Sequence, residues 1–149
     1  MEEKKVEQNN ADQKVTLDQL QAQLRALVAS IEAARAELEL IRQQISNLRL
    51  LKATLAKIKE LGEGKTILVP VGIDATLRAK IENPDTVIVT IGPNLSVELS
   101  YDEALKHIDK RISALEAAVM LIEKAIAKTY MDLEDLLSQA QNIEKKENE

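Results

Sequence analysis

The strongest constraint on this chain is a pair of long apolar stripes. From Leu17 the apolar residues recur at steps of three and four, through Leu20, Leu24, Leu27, Ile31, Ala34, Leu38, Ile41, Ile45 and Leu48. After a slip of phase at Leu51 the stripe continues through Leu55 and Ile58 to Leu61, where Gly62 supplies the left-handed residue that favours a helix end. Thr16 with Gln19 reads as a capping box, and Val15 with Leu20 as the hydrophobic staple around it. The second stripe runs Tyr101, Leu105, Ile108, Ile112, Leu115, Val119, Ile122, Ile126, Thr129, Leu133, Leu136, Ala140, Ile143, and only Thr129 departs from the apolar pattern. Ser100 and Glu103 form its capping box. Neither proline nor glycine interrupts either stretch, so each predicts one rod of roughly 65 to 70 Å at about 1.5 Å per residue. Heptads sustained this long are coiled-coil seams.

The stripes are mirror images in sequence. Positions 17 and 143, 20 and 140, 24 and 136, 27 and 133, 31 and 129, and so on to 48 and 112 each add to 160. Two rods joined by a compact insert must run antiparallel, and the constant sum sets every seam residue of one against a seam residue of the other. Ile126 meets Ala34, Leu20 meets Ala140, and Ile31 meets Thr129, so large faces small. The prediction is an intramolecular antiparallel hairpin of helices. Two helices side by side bury one narrow seam and enclose no core, so further stabilisation must come from elsewhere.

Between the rods, residues 65 to 99 change period from about 3.6 to 2. Leu77, Ala79 and Ile81 alternate with Arg78, Lys80 and Glu82, then Val87, Val89 and Ile91 with Thr86, Ile88 and Thr90, then Leu95, Val97 and Leu99 with polar neighbours. With Thr66 to Val71 this predicts four short strands. Turn residues separate them at Gly72 to Asp74, Asn83-Pro84-Asp85 and Gly92-Pro93-Asn94, which gives two β-hairpins. Pro70 cannot donate to a ladder and belongs at an edge. Four strands with one apolar face and open edges invite strands from other copies, and closing a barrel removes the edges.

Gly64-Lys65-Thr66 raises a nucleotide question and answers it negatively. A phosphate-binding loop needs a glycine at position 59, which is lysine, and a helix straight after the threonine. Thr66 is succeeded instead by Ile67-Leu68-Val69-Pro70-Val71, a β-branched run containing a proline. The triplet opens a strand, and Lys65 is a solvated flank.

Composition narrows the function classes. The 149 residues include two tyrosines and no Phe or Trp, which removes the usual stacking platforms for single-stranded nucleic acid. A net charge of -5 gives no basic face for a polyanion, so nucleic acid is not an expected partner. With no cysteine and one histidine there is no thiolate or His-rich metal site, no metal or other cofactor is expected, and no nucleophile-base motif marks an enzyme. Absent cysteine fits a reducing cytoplasm. The polar start MEEKKVEQNNADQK lacks a signal-peptide core, and no run of about 18 apolar residues would span a membrane. Asn94-Leu95-Ser96 matches a glycosylation acceptor by chance. His107 reads as a solvated surface residue, and the charged residues along the rods as a solvated coiled-coil face.

A long helix, paired hairpins containing ILVPVG, and SYDEAL opening a second long helix together resemble the archaeal prefoldin α-class subunit. The likeness covers nearly the whole chain apart from its tails. It implies an α+β fold, with two β-hairpins inserted between the helices of a long antiparallel coiled coil and strands joining an oligomeric β-barrel platform. The domain would span 15–143, as helix 15–61, hairpins 65–99 and helix 101–143, with disordered tails at 1–14 and 144–149. The resemblance further implies a cytoplasmic, ATP-independent chaperone, a hexamer of two α and four β-class subunits that holds unfolded polypeptides and passes them to a group II chaperonin. One departure matters. The hairpins read VGIDATLRAKI and IGPNLSVEL where α subunits carry glycine-rich segments, and LGEGKTILVPVG looks closer to the filament-forming γ-type relative, so self-assembly into a structural filament is the alternative.

By the family's logic, substrate meets the free ends of the helices. The implied client-binding residues are Leu17, Leu20, Leu24, Met131, Leu133, Leu136, Leu137 and Ile143. Most of these also belong to the seam and pack there first, while Met131 and Leu137 lie off it, and a flexible Met suits promiscuous contact. The assembly residues are Ile67, Leu68, Val69, Val71, Val87, Ile88, Val89, Ile91 and Val97. Ala117 to Ala127, AAVMLIEKAIA, has a wider apolar face than one partner helix requires, and reads as a broad alanine-rich core face or a second contact surface.

Overall fold

The computed structural model describes residues 2–149, with side-chain placement described outside residues 9–15. The chain runs α1 (Glu2–Leu61), β1 (Thr66–Gly72), β2 (Ala75–Lys80), β3 (Thr86–Gly92), β4 (Leu95–Ser100) and α2 (Tyr101–Glu147). Two boundaries differ from expectation. α1 begins at Glu2, so residues 2–14 are helical and Thr16 lies inside a helix. The stretch contains no Gly or Pro, and Glu2 and Glu3 stand in the first turn where they favour the helix dipole. A cap signal states where a helix can start, and nothing upstream forces it to start there. The Val15 staple lies outside the described side chains. α2 likewise continues to Glu147, with Lys145 and Lys146 in its last turn. None of the described helices is long and apolar enough to cross a membrane.

The chain falls into two compact units. One holds α1 up to Ile41 and α2 from Ala118 onward. Here Leu20, Ile31 and Leu38 are buried, and the remaining seam residues of both segments are half-buried. A two-helix contact leaves most of each perimeter in water, which is why so few side chains are closed off completely. Arg35 donates a hydrogen bond to the Tyr130 hydroxyl, and its guanidinium lies 5.6 Å from the centroid of that ring.

The second unit is Arg42–Ala117. Ile45 of α1, Ile81 of the linker between hairpins, and Ala104, Ile108 and Ile112 of α2 are buried. The cross-helix pairs beyond the predicted range fall on or near the same sum of 160. Lys52 Nζ lies 2.7 Å from Asp109 Oδ1, beside the mirror position 108. Lys59 Nζ lies 4.4 Å from the ring centroid of Tyr101, its mirror partner, and Arg49 reaches about a turn further to Glu116 at 2.8 Å. These pairs are solvent-exposed and contribute little stability each. Their value is to report the register.

α1 ends as the sequence indicates. Gly62 has φ 84° and its N–H donates to the Ile58 carbonyl at 3.1 Å, the single-bond left-handed cap. β1 pairs with β2 and β3 with β4, each antiparallel, in separate two-stranded sheets, and the described chain closes no barrel. The two hairpins are one design repeated at an offset of 20 residues. Thr66↔Lys80 becomes Thr86↔Ser100, Val69↔Leu77 becomes Val89↔Val97, and the bulge between Pro70 and Gly72 recurs between Thr90 and Gly92. Even the bond below each hairpin repeats, Ile81 N–H to the Lys65 carbonyl at 2.9 Å and Tyr101 N–H to the Asp85 carbonyl at 2.9 Å.

Candidate functional site: the hairpin faces and the helix ends

A β-strand turns alternate side chains to opposite faces, and cross-strand partners share a face. In the first hairpin Ile67 pairs with Ala79 and Val69 with Leu77, which makes one wholly apolar face. In the second, Val87 pairs with Leu99 and Val89 with Val97. The opposite faces carry Thr66, Arg78 and Lys80 in the first hairpin, and Thr86, Thr90, Ser96 and Glu98 in the second. Thr90 and Ser96 hydroxyls lie 3.2 Å apart there. Of the nine assembly candidates, Ile67, Val69, Val87, Val89 and Val97 lie on apolar faces. Leu68 and Ile88 occupy equivalent places on the polar faces and are exposed, and Val71 and Ile91 are the bulged residues, also exposed.

Burial separates the hairpins. Val87, Val89, Val97 and Leu99 are all half-buried, whereas in the first hairpin only the pair nearest the base, Ile67 and Ala79, is half-buried and the next pair, Val69 and Leu77, is exposed. The difference lies beneath the second hairpin. A cleft of about 180 Å³ is bounded by Leu48, Leu51 and Leu55 of α1, Val87 and Val89 of β3, and Ile108 of α2. His107 and Arg111 also line it and, with Thr90, Ile91 and Gly92, line a wider adjoining cleft of about 470 Å³. His107, expected as a freely solvated residue, is half-buried because it stands one residue from buried Ile108, on the helix face turned to β3. Lys65 is exposed, as expected of a flank, and Thr66 opens β1. The GKT triplet leads into no helix.

At the helix ends, in the other unit, Leu20 is buried and Leu17, Leu24, Leu133, Leu136 and Ile143 are half-buried, each in its seam place. Met131, 67% exposed, and Leu137, 47% exposed, stand outside the seam, as their spacing indicates. A shallow groove of about 420 Å³ runs between Gln23, Ala26 and Leu27 on α1 and Asp132, Asp135 and Leu136 on α2. In the AAVMLIEKAIA stretch Val119, Ile122 and Ile126 take the seam while Met120 and Leu121 are exposed, so the wide face is only partly covered.

Residue-by-residue reading missed Ile73, Leu77 and Leu95, all exposed apolar residues of the hairpins. Ile73 is wholly exposed at the first hairpin's turn, where the repeat places Pro93 in the second. The 20-residue repeat was the signal that would have picked it out. Among the described residues no group of three His, Cys, Asp or Glu is placed to hold a metal ion.

Comparison with known proteins agrees with this geometry. The sequence pattern of the prefoldin subunit family matches residues 27–146. A putative prefoldin subunit alpha of Aquifex aeolicus is 47% identical over 98% of this chain and 97% of its own length. Prefoldin subunit alpha 2 of Methanocaldococcus jannaschii is 45% identical over 83% of this chain and 84% of its own. A cryo-EM structure of filamentous prefoldin from the same organism superposes with a TM-score of 0.71 at 46% identity, covering 77% of this chain and 95% of that one. The paired helices, the twin hairpins and these relatives lead to one conclusion: the chain belongs to the prefoldin subunit family, a family of chaperone subunits, among its α subunits.

Proposed function

We propose that this chain is a cytoplasmic, non-enzymatic subunit of an ATP-independent chaperone that holds unfolded polypeptides at its helix ends and passes them to a group II chaperonin. The observation that carries the reading is the open apolar surface at both places such a subunit must use. Val69 and Leu77 leave the outer part of the first hairpin's apolar face uncovered for assembly, with Val71 exposed at the bulge beside them, and Met131 and Leu137 present uncovered apolar side chains at the helix ends. Exposed apolar surface in a soluble chain marks contact with another molecule. The assembly partners are β-class prefoldin subunits in a hexamer of two α and four β chains, joined through the strands into a barrel platform. Leu17, Leu20, Leu24, Leu133, Leu136 and Ile143 reach client when the helix ends fray, since terminal turns open most readily.

A second reading, self-assembly into a filament, is favoured by the 46% identity to a chain described as filamentous prefoldin. One set of measurements addresses both. Light scattering from an aggregating denatured protein, without ATP, is expected to fall when the chain is added alone or with a β-class subunit, and less so for Met131→Ser with Leu137→Ser. No suppression in either case removes the chaperone reading. Electron microscopy of the chain alone tests the other, and discrete particles that never lengthen with concentration remove the filament.

A further inference from the structure

The twin hairpins differ most at their turns and beneath their faces, and these two differences are complementary. The first hairpin's turn projects Ile73, wholly exposed, and next to it the acid Asp74. Asp74 has no hydrogen bond or ion pair among the described residues. The second hairpin has Pro93 and Asn94 at those two positions, with Asn94 at φ 56°, so neither position supplies an aliphatic knob or a charge, and its Leu95 is only 53% exposed beside Gly92 at the end of the ladder. Conversely, the second hairpin stands beside the apolar cleft walled by Leu51, Leu55 and Ile108, whose rim carries Arg111, a cation likewise unpaired among the described residues, and His107. At about 180 Å³ the cleft exceeds the roughly 150 Å³ that suffices for a benzene ring, so an isoleucine side chain fits.

We propose that the first hairpin's turn is a knob for a second copy of this chain. Ile73 of one copy enters the cleft beside the second hairpin of the next, and Asp74 meets Arg111 at the rim. The occupant is fixed by charge and shape together, an aliphatic group adjoining a carboxylate, which this chain displays on its own surface. Knob and cleft are different patches, so the contact is heterologous and propagates unless its rotation closes a ring. This deepens the self-assembly reading by naming a contact, and it stands or falls separately from filament growth.

The chain contains no cysteine, which makes crosslinking clean. Ala75→Cys, which leaves Ile73 and Asp74 in place, and Thr90→Cys are prepared as separate full-length variants, Thr90 lying where the two clefts meet. Both sites are exposed, so folding is not at issue, and circular dichroism checks it. Mixed and oxidised at dilute concentration, the pair is expected to give the mixed disulfide several-fold above either self-linked species. Asp74→Lys or Arg111→Glu, introduced alone, each lowers that yield by up to about fivefold, as an exposed ion pair allows, and the two together on opposite copies restore it. A product dominated by self-linked Ala75→Cys chains, a yield no higher than self-linking, or no rescue by the double reversal overturns the proposal. Filaments without the mixed disulfide reject the knob and keep the filament. The mixed disulfide without filaments keeps the knob in a closed ring and rejects the filament.

Discussion

The two hairpins share register, bulge position and the hydrogen bond at their base, yet one has its whole apolar face half-covered and the other only the Ile67–Ala79 pair at its base, leaving Val69 and Leu77 open. Backbone form is therefore set locally, by alternation and turn residues, while burial is set by what lies opposite. β3 faces the cleft floored by Ile108. Val69 and Leu77 of the first hairpin are exposed. A two-stranded sheet on its own is marginal in water. The open hairpin is the part of the molecule that most needs a neighbour.

The comparison breaks most sharply if the floor is removed. Ile108 is 3% exposed, and Ile108→Ala is expected to lower unfolding stability by about 2–5 kcal/mol. Ile88 borders the same cleft but is 75% exposed, and Ile88→Ala should cost within about 0.5 kcal/mol. Urea denaturation followed by circular dichroism measures both, at one fixed chain concentration because assembly makes stability concentration-dependent. Equal losses would mean that the second hairpin is not supported from beneath.

Next in size is a pair of equivalent substitutions. Val97 and Leu77 occupy the same place 20 residues apart, opposite Val89 and Val69. Val97→Ser should cost about 1–2 kcal/mol, because a half-buried aliphatic group is lost and a hydroxyl takes its place. Leu77→Ser should leave the isolated chain's stability nearly unchanged and weaken its association, as read by sedimentation velocity. The reverse pattern would show that the first hairpin is the covered one in solution.

Much of this was legible in the sequence, for identifiable reasons. Every residue of both predicted seams from Leu17 to Leu48 and from Tyr101 to Ile143 is buried or half-buried, because a heptad pattern states its own period and partner. The strands were legible to within a residue or two, since alternation and turn chemistry are local. Three things were not. The start of α1 at Glu2 is decided by the absence of a breaker, which a search for caps does not weigh. The half-burial of His107 depends on β3, far along the chain. The division of Leu68 and Ile88 from the other assembly candidates required the pairing partner of each strand, because a run such as Ile67-Leu68-Val69 is apolar on both faces.

A smaller effect separates the hairpins at their exits. Only the second leads into a helix, and there Ser100 Oγ accepts from Glu103 N–H while Glu103 Oε2 accepts from Ser100 N–H, both at 3.2 Å. Ser100→Ala should cost about 1 kcal/mol. No measurable loss would mean that the reciprocal Ser100–Glu103 pair does not cap α2 in solution.

The smallest test asks whether the base or the face accounts for the second hairpin's order. Lys59 Nζ lies 4.4 Å from the Tyr101 ring centroid and 3.6 Å from Asp85 Oδ1, and so touches both residues whose backbone bond closes that hairpin. The first hairpin has Lys65 and buried Ile81 in the corresponding places, with no aromatic ring or acid. The lysine and the aspartate are substantially exposed, so the cation–π and ionic contributions are each small and screened. Lys59→Gln is expected to cost about 0.5–1 kcal/mol, with most of the ionic part already absent at high salt. A loss much larger than that would place the second hairpin's support at its base, making the helix–hairpin junction, and not the covered valine face, the feature that distinguishes it from its twin.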